Sequence, residues 1–207
     1  MPTTTFLNLS AEKRERVISA AIREFACRSL REANLSNIVK DSRIARGSIY
    51  QYFADKDDLY VHIFDILRAE RAEYVRPAFR LYNKEPFLEF FEEFYLRDSA
   101  FLVMNPDHIE LGKRLYSGND ATSLALITKL QARYNEWFIG AIDFDKDRGL
   151  IDPAVHSATL ADLCVHLVTD LFIFQSLTSH FTVDNIKDHC KRTLYIVERG
   201  ILRRNAQ

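Results

Sequence analysis

Cysteine, glycine and proline are scarce in this chain: 3, 6 and 5 of 207 residues. Cys27, Cys164 and Cys190 make no CxxC pair and no spacing suited to zinc or to a disulfide framework, so all three are expected to be small buried apolar residues within helices. There is also no strand-like alternation, internal repeat or low-complexity tract, which leaves the helix as the expected element throughout. No stretch reaches the roughly 18 uninterrupted apolar residues of a membrane span. The opening MPTTTFLNLS has neither the basic nor the apolar region of a signal peptide, and the expected location is cytoplasmic. A Ser/His/Asp triad, a glycine-rich phosphate loop and a zincin motif are all missing, so an enzyme has no catalytic constellation to stand on. Asp162, His166 and Asp170 recur every four residues, but one helix cannot wrap an ion with three such side chains at short bond lengths. Neither a metal nor a cofactor is expected.

What the chain does have is charge asymmetry. The net charge is -1, yet Met1–Lys56 carries 10 Lys and Arg against 6 Asp and Glu, and the remainder carries 18 against 23. Only the N-terminal quarter suits a polyanion, although an excess of this size is also compatible with ordinary surface scatter.

That quarter holds the most specific segment, NLSNIVKDSRIARGSIYQYFADK over 34–56. Asn34 is a good N-cap, and Ile38 and Val39 supply the buried face of a helix about two turns long. Ile44 marks a turn. Ala45–Phe53 reads as a second helix, with Ile49 and Phe53 directed inward at i, i+4 spacing. Arg46, Gly47, Ser48, Tyr50, Gln51 and Tyr52 are expected to face outward. Arg and Gln read guanine and adenine edges in pairs of hydrogen bonds, Ser and Tyr hydroxyls bond phosphate oxygens, and glycine lets the backbone approach a duplex. Ser36, Ser48, Tyr50, Tyr52 and Lys56 are expected on phosphates, and Arg46 and Gln51 on base edges.

With the preceding helix from about Ser10 to Arg28, these residues resemble the N-terminal domain of the TetR/AcrR family of transcriptional repressors. The matching positions are Ile38, Ile44, Arg46-Gly47-Ser48-Ile49-Tyr50-Gln51-Tyr52-Phe53, Lys56 and Leu59. The resemblance implies an all-α protein in which a three-helix helix-turn-helix domain, 1–56, is joined by a long helix to a larger ligand-binding and dimerisation domain, 57–207. Double-stranded operator DNA, a small effector and a second copy of the chain are the implied partners. Three departures stand out. Ser29 and Arg43 replace glycines at two expected left-handed positions, costing about 1 kcal/mol each, and Ala45 replaces a serine that would cap the recognition helix.

Beyond Lys56, which Asp55 is placed to cap, a helix is expected to run towards Arg76 with Leu59, Ile63, Ile66 and Leu67 inward, until Pro77 stops it. Further helices are expected near 86–104, 107–116, 120–144, 153–178 and 183–203. In the fourth of these, Leu160, Leu163, Leu167, Leu171 and Phe174 form one stripe while Val165, Val168, Phe172 and Ile173 occupy other faces. Ile186, Cys190, Leu194, Val197 and Ile201 are in phase on the last. Such helices need two partners, and a homodimer seam through Leu163, Leu167, Leu171, Phe172, Leu194, Val197 and Ile201 is expected, the alternative being a buried central helix in a monomer.

Phe87, Phe90, Phe91 and Phe94 follow i, i+3, i+4, i+7, the spacing of an ordinary core face. The family resemblance adds a cavity that these four, together with Phe101, Tyr134, Trp137 and Phe138, would line for a hydrophobic or aromatic effector, with Glu93, Arg97, His108 and Asn135 as polar anchors. The function expected is a ligand-released repressor acting as a homodimer on a palindrome. The rivals are a regulator of the same fold without a small-molecule inducer and, from another class, a helical enzyme or lipid-binding module.

Overall fold

The computed structural model describes residues 1–173 and 182–199; at 170–173 and 183 it describes the backbone alone. Phe174 and Ile201, and the side chains of Asp170, Leu171, Phe172 and Ile173, therefore lie outside the described residues. The described chain is helical, as expected, and falls into two compact units, Met1–Glu70 with Asn105–Leu130 and Arg71–Met104 with the described part of Gln131–Gln207.

In the first unit, α1 (Thr4–Leu7), α2 (Ala11–Cys27), α3 (Leu35–Asp41) and α4 (Ile49–Tyr52) precede α5 (Lys56–Val75), whose first fifteen residues belong here. Ser10 caps α2 by accepting from the Lys13 amide, and Asn34 caps α3 through Ser36, both as the sequence predicts. Asp55 Oδ1 accepts the Asp58 amide at 2.7 Å, which starts α5 at the expected place. Val17, Ala21, Phe25, Ile38, Ile49, Phe53, Leu59 and Ile63 make one core, joined by Leu111 and Leu115 of α7 (Pro106–Ser117). α7 packs along α2, so the helix-turn-helix rests on a segment far downstream in sequence.

In the second unit, α5 ends at Val75 and a 3-10 turn, Arg76–Arg80, follows with Pro77 in its first turn. α6 (Phe87–Met104) packs against α9 (Ser157–Ile173) and α10 (Val183–Arg199), and the latter part of α8 (Ala121–Asp147) belongs to the same unit. α9 starts at Ser157 instead of 153. The Asp152 side chain accepts the Ala154 amide at 2.8 Å, holding the chain in a turn through Pro153, and His156 then stands at the helix entrance beside Thr159. The Asp145 carboxylate of α8 accepts the Phe87 amide at 2.6 Å, placing negative charge on the α6 N-terminus.

Candidate nucleic-acid interface

The recognition segment is built from the buried side outward. Glu24 on α2 is 8% exposed, and its carboxylate accepts from the Asn34 backbone amide at 2.9 Å, the Asn37 side-chain amide at 3.1 Å and the Arg28 guanidinium at 2.8 Å. Burial by itself raises the Glu24 pKa, but these donors outweigh it and hold the carboxyl below its ordinary value. The helix entering the turn is thus fixed to α2 at its N-cap. At the other end of α3, the buried Ser42 hydroxyl donates to Ile38 O at 2.6 Å, and the chain reverses through Arg43, whose φ of +54° is left-handed as expected. Ser29, the second such expectation, is not left-handed. α2 closes instead at Arg28 in extended backbone, and the Ser29 hydroxyl and amide both donate to Glu32.

The recognition helix is shorter than 45–53. Only Ile49–Tyr52 is α-helical; Ala45–Ser48 is a turn closed by Ser48 N–H donating to Ala45 O at 2.9 Å. Ala45 has no side chain to cap with, Ser48 makes no capping bond, and Gly47 adds backbone entropy, so nothing stabilises an earlier helical turn. Arg46, Gly47, Tyr50 and Gln51 are exposed, Ser48 is half-buried, and Ser36 is exposed in the first turn of α3. A Cβ built on Gly47 meets nothing within 4 Å, so the protein's own packing leaves room for a side chain there.

Two expected phosphate contacts sit differently. Tyr52 does not face outward: it is 3% exposed, because a single turn carries it round to the side of Ile49, where it meets the Phe6 ring at 5.7 Å. α1, which the sequence reading passed over, supplies that ring; an aromatic residue ahead of the Ser10 cap was the available signal. Lys56 directs its ammonium to Arg31 O at 3.0 Å and Ala33 O at 2.9 Å, clamping the α2–α3 loop.

Comparison with known proteins bears on this surface. Residues 17–63 match the sequence model described as "Bacterial regulatory proteins, tetR family". Over these residues the chain is similar to tetR-family regulators. The HTH-type transcriptional regulator AcrR of Shigella flexneri is 31% identical over 62 residues, 30% of this chain and only 29% of that protein. The HTH-type transcriptional repressor BepR of Brucella suis is 24% identical over 169 residues, 77% of this chain and 78% of that protein. Among solved structures, the regulator FadR from Bacillus subtilis in complex with stearoyl-CoA superposes with a TM-score of 0.75 at 14% identity, over 91% of this chain and 99% of that one. The regulator CifR, solved as a cysteine mutant with 26-bp operator DNA, superposes at 0.69 and 14% identity, over 88% and 95%. At such identities these structures support the fold alone. The matched residues cover the latter part of α2, all of α3 and α4, and the start of α5.

The other expected sites fall in the second unit. Phe87, Phe90, Phe91, Phe94, Phe101, Tyr134 and Phe138 are buried and Trp137 half-buried. Their rings meet each other, Phe91 with Phe138 at 5.2 Å and Phe94 with Phe138 at 5.5 Å, while Phe79 meets Trp137 at 4.8 Å. A cleft beside them, lined by Phe91, Tyr95, Leu167, Cys190, Thr193 and Leu194, is too narrow to admit a water molecule. Of the polar anchors, Glu93 pairs with Arg97 along α6, the Asn135 amide donates to Asp162 at 2.8 Å, and His108, in the first unit, lies 3.4 Å from Glu70. Sequence reasoning missed a buried pair, in which Arg71 donates bidentately to Asp98 and lies 5.9 Å from the Tyr134 ring centre. No amphipathic stripe announces it, since Arg71 sits near the end of α5 and Asp98 on the core face of α6.

On α9 the stripe packed into its own unit is Ala161, Cys164, Val165 and Val168, leaving Leu163 49% exposed and Leu167 half-buried. On α10, Leu194 is buried within the unit instead of standing at an outer seam, Val197 is half-buried, and Tyr195 and Ile196 are exposed. Cys27 is exposed, contrary to expectation; Cys164 and Cys190 are buried, and burial pushes both thiols up to about 12. Among the described residues no group of three metal-binding side chains gathers, and no helix is long and apolar enough to cross a membrane.

Proposed function

We propose that this chain is a ligand-responsive transcriptional repressor that binds a palindromic operator as a homodimer and releases it when a small hydrophobic or aromatic effector binds. One observation carries the DNA side: Arg46, Gly47, Tyr50 and Gln51 are exposed together on a segment whose opposite face is locked into the core of α2, α3 and α5. Arg46 and Gln51 read base edges, and Ser36, Ser48 and Tyr50 bind phosphate. Residues 1–56 form the DNA-binding domain and 57–207 the ligand-binding and dimerisation domain.

Support for dimerisation comes from the apolar surface left by α9 and α10, where Leu163, Tyr195 and Ile196 are exposed. Two recognition helices about 34–36 Å apart would then meet successive major grooves. Leu163→Glu combined with Ile196→Glu puts charge into that seam, and the double variant is expected to sediment as a monomer and to bind the operator far more weakly. An unchanged dimer would place the seam elsewhere.

The aromatic block around Phe94 and Phe138 supports an apolar effector, and the relative FadR holds stearoyl-CoA, so long-chain acyl thioesters belong in the screen. The rings must separate to admit it. The close packing of those rings equally favours the second reading, a regulator of the same fold without an effector. The test is selection of bound duplex from a random pool, followed by titration of each binding compound against free and operator-bound protein. An effector weakens operator binding roughly 5- to 150-fold, and the operator weakens effector binding by the same factor. Equal affinities for every compound that binds would favour the second reading.

A further inference from the structure

α4 is one turn long, and its last carbonyls have no partner within the helix. Thr3 takes two of them: its hydroxyl donates to Gln51 O at 2.6 Å and its backbone N–H donates to Tyr52 O at 2.9 Å. The same hydroxyl oxygen accepts the Phe6 amide at 3.4 Å as the N-cap of α1. One oxygen therefore closes the end of α4 and opens α1. Phe6 then seats its ring against Tyr52, Phe53 and His62, with centroids 5.7, 4.8 and 5.7 Å apart.

A single helical turn has almost no stability of its own, so its direction is set by whatever grips it. Ile49 holds α4 from the core side. Its C-terminal end, where Gln51 leaves for solvent, is held by Thr3 and Phe6, both outside the residues 17–63 that match the family. We propose that these two are positioning residues, a strap that fixes the pose of the recognition helix and thereby which base edges Gln51 reaches. The inference rests on the DNA reading made above. Its chemistry is the double use of one hydroxyl: valine matches threonine in shape and can do neither job, while serine can do both.

The experiment compares the full-length protein with Thr3→Val and Thr3→Ser. Amide hydrogen exchange over residues 49–53 is followed without DNA, and sequence preference is read by selection from a random duplex pool. Of the two bonds lost in Thr3→Val only the one to Gln51 O ends on α4, and loss of one net hydrogen bond corresponds to about fivefold. Thr3→Val is expected to exchange about fivefold faster there and to lose discrimination by a similar factor at the base pairs the unaltered protein selects most strongly. Thr3→Ser is expected to keep both properties. Unaltered exchange in Thr3→Val overturns the strap. Faster exchange with unaltered sequence preference overturns the positioning role, and equal behaviour of valine and serine overturns the part given to the hydroxyl. If the unaltered protein selects no sequence at all, the DNA reading and the positioning role fail together, while the exchange rates still judge the strap.

Discussion

The Glu24 carboxylate receives the Asn34 backbone amide at 2.9 Å, so a buried acid on α2 holds the residue that caps α3. Its folded pKa is lowered, so its stabilisation is present above the unfolded-state value of about 4.5 and is lost as pH falls through the folded value. Glu24→Gln keeps the shape and removes the charge. It is expected to lower stability at neutral pH by about 1.5–3 kcal/mol, the range for a hydrogen bond to a charged group. Urea titrations across pH 3–7 should also show a shallower acid limb in the variant; parallel limbs would remove Glu24 from the acid response.

Gly47 separates the demands of the fold from those of the duplex. Since a Cβ there meets nothing within 4 Å, Gly47→Ala is expected to leave the melting temperature unchanged or raise it slightly. On the DNA reading proposed above, operator binding should nevertheless weaken by about 1–3 kcal/mol, because the added methyl would stand where the backbone approaches DNA. Wild-type affinity in a folded Gly47→Ala would show that the close approach occurs at another residue.

Arg43 sits at φ +54° between α3 and α4. Replacing it with glycine relieves left-handed strain of about 1–2 kcal/mol and adds unfolded-state entropy of about 0.5–1 kcal/mol. A net gain of about 0.5–1 kcal/mol is therefore expected in chemical denaturation of Arg43→Gly. A destabilised variant would mean that the Arg43 side chain holds the turn itself.

In the second unit, Asp98 is 1% exposed beneath the Arg71 guanidinium. Asp98→Ala removes the carboxylate to which Arg71 donates twice and should cost about 3–5 kcal/mol. Asp98→Leu with Arg71→Met removes both charges and is expected to recover much of that loss, measured as a double-mutant cycle in urea. Equal losses in single and double variants would show that Asp98 matters for packing alone.

Gly140 and Tyr82 make a sharper pair. A Cβ on Gly140 would stand 2.5 Å from the Tyr82 hydroxyl but 3.7 Å from its ring carbon. Gly140→Ala is expected to destabilise by about 1–3 kcal/mol through overpacking, and Tyr82→Phe should rescue it. Failure of the rescue would locate the strain in the helix backbone.

The sequence by itself determined the all-helical fold, the starts of α2, α3 and α5, and the exposed group Arg46, Gly47, Tyr50 and Gln51. These are local properties: caps at Ser10, Asn34 and Asp55 and an inward spacing of Ile38, Ile49, Leu59 and Ile63 act within a few residues of one another. Tertiary structure alone decided the rest. Tyr52 is buried because Phe6, 46 residues earlier, covers it, and Lys56 turns inward because two carbonyls of the α2–α3 loop lie within its reach. Arg71 finds Asp98 across 27 residues, and Leu194 packs against α6 in its own unit. A side chain at the edge of an amphipathic face can be drawn to either side, and the partner that draws it is brought there only when distant segments pack.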